Sequence, residues 1–161
     1  MIVMHAVLLA GGEAHAETEI GSSRAFGLGI QLGEPSGITG KVYLNGRTNA
    51  IDFAVGSYYD AGFAGDVYVH ASYHAHLAEL ASGGGVAIPF RIGVGGFLNS
   101  GYWRFDNDVD DLVFGVRVPF GLDFDLERAP VQFYVEVAFQ MAIIPFVGAG
   151  LDGGIGVRYY F

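Results

Sequence analysis

The feature that most constrains this chain is an alternation of apolar residues with polar residues or glycine, which recurs along most of its length. The clearest example is Leu112–Leu126, where every second residue is Leu, Phe or Val and the positions between them mostly hold Gly, Arg or Asp. Successive side chains of a β-strand point to opposite faces, so the pattern predicts strands with one apolar and one polar face. No window shows the 3.6-residue period of a helix.

The composition favours strands that face lipid. Apolar residues make up 52% of the 161 residues and the mean hydropathy is +0.39, which is high for a soluble domain. A membrane-spanning helix needs a run of about 18 apolar residues, and the sequence contains none. The 26 Gly, 13 Phe and 9 Tyr residues suit tight turns, twisted strands and aromatic side chains at a membrane interface. The absence of cysteine excludes a disulfide framework, and a net charge of −9 argues against nucleic acid as a partner.

The alternation predicts an all-β, eight-stranded, antiparallel, up-and-down transmembrane β-barrel with both termini on one side. A soluble eight-stranded barrel such as a lipocalin would turn its apolar face inward instead. The polar residues here are few, of mixed sign and interspersed with glycine, which suits a narrow interior better than a solvated surface. The predicted strands are Arg24–Leu32, Ile38–Leu44, Ala50–Tyr58, Asp66–His76, Val86–Asn99, Leu112–Leu126, Val131–Met141 and Gly154–Phe161.

The polar faces of these strands predict a charge network inside a closed barrel. Eight strands leave an interior just wide enough for side chains to fill, and buried charges must be paired to be tolerated. Arg117 and Glu136 lie on adjacent predicted strands and are expected to pair. The predicted luminal residues are Lys41, Asp52, His70, His74, Arg91, Arg117, Glu136 and Arg158.

The two ends of the chain suggest export and membrane insertion. Met1–Gly12 is apolar and Ala14-His15-Ala16 follows as a small-x-small cleavage site, so residues 1–16 are predicted to be a signal peptide and 17–161 the barrel domain. An apolar N-terminal strand or plug is the alternative. At the other end, Ile155, Val157, Tyr159 and Phe161 share one face, and the pattern is similar to the insertion signal of bacterial outer-membrane barrels, which the barrel assembly machinery recognises.

Four stretches carry a resemblance to a family: Gly33–Gly37 with Lys41, Phe114–Leu122, Ala129–Phe133 and Gly153–Phe161. With them, the chain from Gly27 to Phe161 resembles an uncharacterised bacterial family of small outer-membrane barrels of the OmpA/OmpX type. The resemblance implies the fold and the outer membrane and, for some relatives, surface binding of host proteins. It implies no established activity.

Two motifs predict chemistry only in part. His70, Ser72, His74 and His76 share a face at spacings of about 7 Å, which suggests a metal site or hydrolysis as in barrels that trim lipid A, but a catalytic triad needs groups from several strands. Gly148–Gly153 satisfies G-x-G-x-x-G, yet a strand follows instead of the helix that a dinucleotide site requires.

The longest predicted loop, Ser100–Asp111, is the candidate surface-binding site. Its Asp106–Asp111 stretch opens like a calcium loop, but Asp111 stands where the loop glycine belongs and Arg117 where the bidentate glutamate belongs. Aromatic anchors beside a charged rim resemble a recognition patch, although aromatic residues also lie at membrane interfaces. The candidate residues are Tyr102, Trp103, Phe105, Asp106, Asp108, Asp110 and Asp111.

The sequence therefore predicts a monomeric, integral protein of the bacterial outer membrane. We expect no enzymatic activity and no cofactor, a closed lumen, and a structural role or binding of an extracellular protein through the outward loops. The expected partners are outer-membrane lipid and, during biogenesis, the assembly machinery. A lipid-modifying barrel enzyme and a small pore are the alternatives.

Overall fold

The computed structural model describes residues 19–57, 67–100 and 112–161, and these form a closed barrel of eight antiparallel strands in sequence order. The prediction of an all-β, eight-stranded up-and-down barrel is thereby confirmed. The strands are β1 Phe26–Glu34, β2 Ser36–Tyr43, β3 Asn49–Ser57, β4 Val67–Gly83, β5 Val86–Ser100, β6 Leu112–Leu126, β7 Val131–Ile144 and β8 Gly148–Tyr160.

The first and last strands close the barrel over eight residue pairs, from Gly27 opposite Tyr160 to Glu34 opposite Gly153. The start of β1 and the end of β8 therefore lie at the same end of the barrel, which we call the terminal end. The connections at residues 44–48, 84–85 and 127–130 share that end, and those at residues 35 and 145–147 lie at the opposite end, together with the strand ends that flank residues 58–66 and 101–111. Within the described ranges, no helix is long and apolar enough to cross a membrane.

Strand β4 is longer than predicted. The segment Leu77–Gly85 was expected to be a connection, but β4 continues to Gly83 and pairs with β5 to the turn at Gly84 and Gly85. Two register shifts, between His76 and Ala78 and between Glu79 and Ala81, insert one extra residue each. Each insertion reverses which residues face inward, so the sequence beyond His76 does not alternate regularly between apolar and polar residues. The strand could therefore not be predicted beyond that point.

Strand β8 is also longer, since it begins at Gly148, in the segment left between the predicted strands Val131–Met141 and Gly154–Phe161. The Gly-x-Gly-x-x-Gly stretch lies entirely inside this strand, which confirms that it does not open a helix. The segment left between the predicted strands Arg24–Leu32 and Ile38–Leu44 is mostly strand as well, because β1 ends at Glu34 and β2 begins at Ser36.

The two faces of the wall differ in polarity. The outward side chains are mostly apolar and partly exposed, and the most open of them include Leu32, Ile38 and Val137 at 62%, 63% and 52%. The fully buried side chains include Arg91 and Arg117, together with Lys41 and Arg158. The middle of the interior is therefore charged, and most large apolar side chains lie outside, apart from two small buried clusters around Ile20 and around Phe97.

A short hook precedes β1 and enters the terminal end. The backbone N–H of Gly21 donates to the Arg24 carbonyl (2.9 Å), which turns the chain back on itself. Ile20 is completely buried against Tyr43, Ala50 and Tyr160 inside the barrel. The hook thus fills the terminal end with one apolar side chain, while residues 1–16, the predicted signal peptide, lie outside the described residues.

Candidate functional site

The middle of the interior is organised around the guanidinium of Arg91, which projects from β5. Its Nη1 donates to Glu136 Oε2 at 2.5 Å, and its Nε donates to Asp123 Oδ1 at 2.9 Å. A third carboxylate, Asp52, lies 3.6 Å from Nη1. One cation therefore holds carboxylates from β3, β6 and β7, so that distant parts of the wall are tied across the barrel axis.

Arg91 also fixes His74. Arg91 Nη1 lies 3.1 Å from His74 Nδ1 and 3.3 Å from His74 Nε2. His74 Nε2 also lies 2.9 Å from Asp52 Oδ1. The imidazole of His74 thus lies between a cation and an anion.

Glu136 links this middle layer to the layer farther from the termini. Its second oxygen accepts from Arg117 Nη2 at 2.8 Å, which is the contact expected from the sequence. The same Nη2 lies 3.2 Å from Asp152 Oδ1, and Asp152 also accepts from Tyr68 and Gln140. Two guanidinium groups and two carboxylates therefore form a continuous chain along the barrel axis.

The terminal-end layer repeats this arrangement around Asp123. Lys41 Nζ donates to Asp123 Oδ2 at 2.5 Å and lies 3.0 Å from His76 Nε2. Beside it, Arg47 Nη2 donates to Asp125 Oδ2 at 2.8 Å. Asp123 thus gains a second cation, and one further anion, Asp125, is neutralised where the barrel meets the hook.

Arg158 contacts a hydroxyl group and an aromatic ring more closely than it contacts a carboxylate. Its Nη2 donates to Thr39 Oγ1 at 2.7 Å, and its guanidinium carbon lies 4.0 Å from the centre of the Tyr134 ring. It also lies 3.5 Å from Asp52 Oδ2. A cation placed over a desolvated aromatic face gains electrostatic stabilisation there, which complements the longer contact with the carboxylate.

The interior is balanced in charge. Among the described residues four buried cations face five buried carboxylates, and the partly exposed Arg47 supplies the fifth cation through Asp125. The histidines add no charge when neutral, so the net charge of −9 belongs to the rest of the chain. Balance of this kind limits the desolvation cost of placing ions in a narrow barrel. The cations are Lys41, Arg47, Arg91, Arg117 and Arg158, and the anions are Asp52, Asp123, Asp125, Glu136 and Asp152.

The structure places all eight predicted luminal residues in the buried interior and joins them in this network. It adds Asp123 and Asp125, which the sequence assigns to the polar face of Leu112–Leu126 although they are not among the eight predicted luminal residues. It also adds Asp152, which was missed because it precedes the predicted start of the last strand at Gly154. The predicted surface-binding residues at 102–111 lie outside the described residues, and Ile155, Tyr159 and Phe161 of the insertion motif are exposed.

The histidine and serine cluster is engaged by arginine. Arg117 Nη1 donates to Ser72 Oγ at 3.1 Å and lies 2.8 Å from His70 Nδ1. His70 Nδ1 therefore accepts from the guanidinium, and within the described strands no hydrogen bond joins Ser72 to a histidine. A serine nucleophile needs a base within hydrogen-bond reach, so this geometry supports a structural role for Ser72.

One group of side chains has the composition of a metal site. Ligand atoms of Asp52, His74 and Glu136 lie within 4.8 Å of one another in the interior. Arg91 Nη1 lies among them, at hydrogen-bond distance from Glu136 and His74. The guanidinium already supplies the positive charge that these ligands would offer to a metal ion, and a divalent ion would disturb the balance of the interior.

Comparisons with protein-family models, with curated proteins and with solved structures found no match to this chain.

Proposed function

We propose that this chain is an integral outer-membrane β-barrel protein, a monomer with a closed lumen and without enzymatic activity. The observation that carries the proposal is the inverted polarity of the wall, in which half-exposed Leu, Ile, Val and Phe side chains surround buried arginines and carboxylates. In water this arrangement would expose a continuous apolar surface, whereas a lipid bilayer would cover it. The charged groups of the interior lie out of reach of both phases and are neutralised mainly by one another, while Arg91 Nη2, Arg117 Nε and both carboxylate oxygens of Asp52 make no hydrogen bond within the described residues.

The lengths of the connections support an orientation with the termini in the periplasm. Outer-membrane barrels have short periplasmic turns and longer extracellular loops. Here the terminal end carries the connections 44–48, 84–85 and 127–130, while the longest connections, 58–66 and 101–111, belong to the opposite end. The proposed structural or surface-binding role is assigned to this opposite end, with residues 102–111 as the proposed contact for an extracellular protein.

The test is expression in a Gram-negative host, followed by membrane fractionation and electrophoresis with and without heating. We expect the chain in the outer-membrane fraction, extractable only with detergent, and migrating faster before heating than after it. A chain that is monodisperse without detergent would overturn the proposal. Stepped conductance in planar bilayers would overturn the closed lumen alone.

A further inference from the structure

A cavity of about 250 Å³ opens at the terminal end, between the connection of β2 to β3 and the extended part of β4. Strand β3 begins at Asn49, opposite Ala75, so β4 continues beyond the pairing that β3 offers in the described part of the chain. We call this opening the β3–β4 notch. Its principal lining residues are Tyr43, Arg47, Thr48, Leu77, Glu79 and Pro89.

The notch contains one cation and one anion that do not satisfy each other. Arg47 Nη1 lies 3.8 Å from Glu79 Oε2, which is beyond hydrogen-bond distance. The other terminal nitrogen of Arg47 is held by Asp125 at 2.8 Å, so the guanidinium is positioned from inside the barrel. The side chains of Arg47 and Glu79 are 28% and 41% exposed and therefore reachable from outside.

These charges favour a ligand that carries both signs. A simple anion would meet Arg47 but would be repelled by Glu79 and Asp125. A simple cation would meet Glu79 but would be repelled by Arg47. A ligand with a phosphate on the Arg47 side and an ammonium on the Glu79 side replaces one loose contact by two charge-assisted hydrogen bonds and adds no net charge.

The surroundings of the notch favour a lipid over a free solute. The two residues inserted into β4 by its bulges are Leu77 and Leu80, and their side chains are 63% and 60% exposed. Leu44, on the other side of the opening, is 54% exposed. Apolar side chains thus flank a charged pocket, as the acyl chains of a lipid flank its headgroup.

We propose that the β3–β4 notch binds the headgroup of a zwitterionic phospholipid that carries a primary amine, from the leaflet at the terminal end of the barrel. Arg47 and Thr48 donate to the phosphate oxygens, and Glu79 accepts from the ammonium group. The bulges of β4 serve this site because they turn Leu77 and Leu80 toward the acyl chains. The inference rests on the proposed membrane location.

The experiment uses the full barrel in maltoside micelles, whose headgroups are uncharged. Dihexanoyl phosphatidylethanolamine, dihexanoyl phosphatidylglycerol and soluble phosphoethanolamine are titrated separately, and NMR follows the Arg47 side chain and the backbone amides of residues 44–48 and 77–79. We expect saturable shifts with the ethanolamine lipid. The substitution Glu79→Gln should weaken its binding about three- to fivefold, the upper range for an accessible ion pair. It should not weaken binding of the anionic glycerol lipid, because it removes a carboxylate that repels that lipid.

The control is Glu127→Gln, which removes a carboxylate from the same end of the barrel outside the notch. It should leave all three titrations unchanged. Equal affinity for the two lipids, or no effect of Glu79→Gln, would overturn the headgroup site. If phosphoethanolamine binds as tightly as the lipid, a lipid is not the occupant of the notch. None of these outcomes would alter whether the barrel fractionates with the outer membrane, which tests the proposed function separately.

Discussion

The inner and outer faces of the same strands follow opposite rules of stabilisation. On β7, Glu136 is buried and contacts two arginines, while its neighbour Val137 points outward and is 52% exposed. The inward residue depends on specific partners, because an unpaired buried charge is costly. The outward residue, if it faces lipid as proposed, depends only on being apolar, since any hydrocarbon surface suits lipid. On the outer face, a substitution should therefore be tolerated whenever the new side chain is apolar. On the inner face, it should be tolerated only when the charged partners of the replaced residue remain paired.

The largest effect is expected for Arg91→Met, which removes the cation shared by three carboxylates. Glu136 and Asp123 would lose hydrogen bonds of 2.5 and 2.9 Å and remain buried. We expect a loss of about 5 kcal/mol in the free energy of unfolding, the upper end for a broken buried pair. Urea unfolding in phospholipid vesicles measures it, with exposed Arg128→Met as the matched control.

A smaller loss is expected for Glu136→Ala. Arg91 keeps Asp123 and Arg117 keeps Asp152, so both cations retain a partner. We expect a loss of about 3 kcal/mol, the lower end for a broken buried pair. The same unfolding assay applies, with Glu127→Ala as control. An unchanged midpoint would show that Glu136 is not part of the network.

The outer face is probed by Val137→Arg, next to Glu136 in the middle of β7. Arginine on the lipid face of a barrel costs about 2–4 kcal/mol near the bilayer midplane and about 0–1 kcal/mol near the interfaces. Val147→Arg, in the connection after β7, should therefore cost much less. If both variants unfold like the parent in vesicles, Val137 does not face lipid and the comparison of the two faces fails.

The fold could be predicted because the alternation of β6 and β7 is long and regular. The prediction of strand bounds failed where the alternation changes phase or where glycines leave no side chains to alternate. In β4 the inserted Leu77 and Leu80 each shift the phase by one residue. In β8, four glycines between Gly148 and Gly154 leave few side chains to alternate.

The composition of the interior could likewise be predicted, but its pairing could not. Alternation assigns Arg91 and Asp52 to the same face, yet they lie on β5 and β3, which are not neighbours. Their contact depends on how the strands are staggered around the closed barrel. That stagger is set by the register of all eight strand pairs together, which no single strand reveals.

The smallest change in stability is expected for Gly121→Ala, which tests how closely the interior is packed. A Cβ added to Gly121 would lie 2.8 Å from the guanidinium carbon of Arg91, so Gly121→Ala displaces the central cation. We expect a loss of about 1–3 kcal/mol, as for an overpacked core. Gly96→Ala is the matched control, because its Cβ would come no closer than 3.5 Å to a described atom, and it should change stability by less than about 0.5 kcal/mol.

A double variant separates crowding of Arg91 from a general effect of alanine on the strand. If Gly121→Ala acts by displacing Arg91, it should cost little once Arg91→Met has removed the guanidinium, and the two losses should not add. Full additivity would show that Gly121 is not needed for the position of Arg91. A non-additive result would mean that a glycine in the wall stabilises the barrel by leaving room for a charge on its inner face.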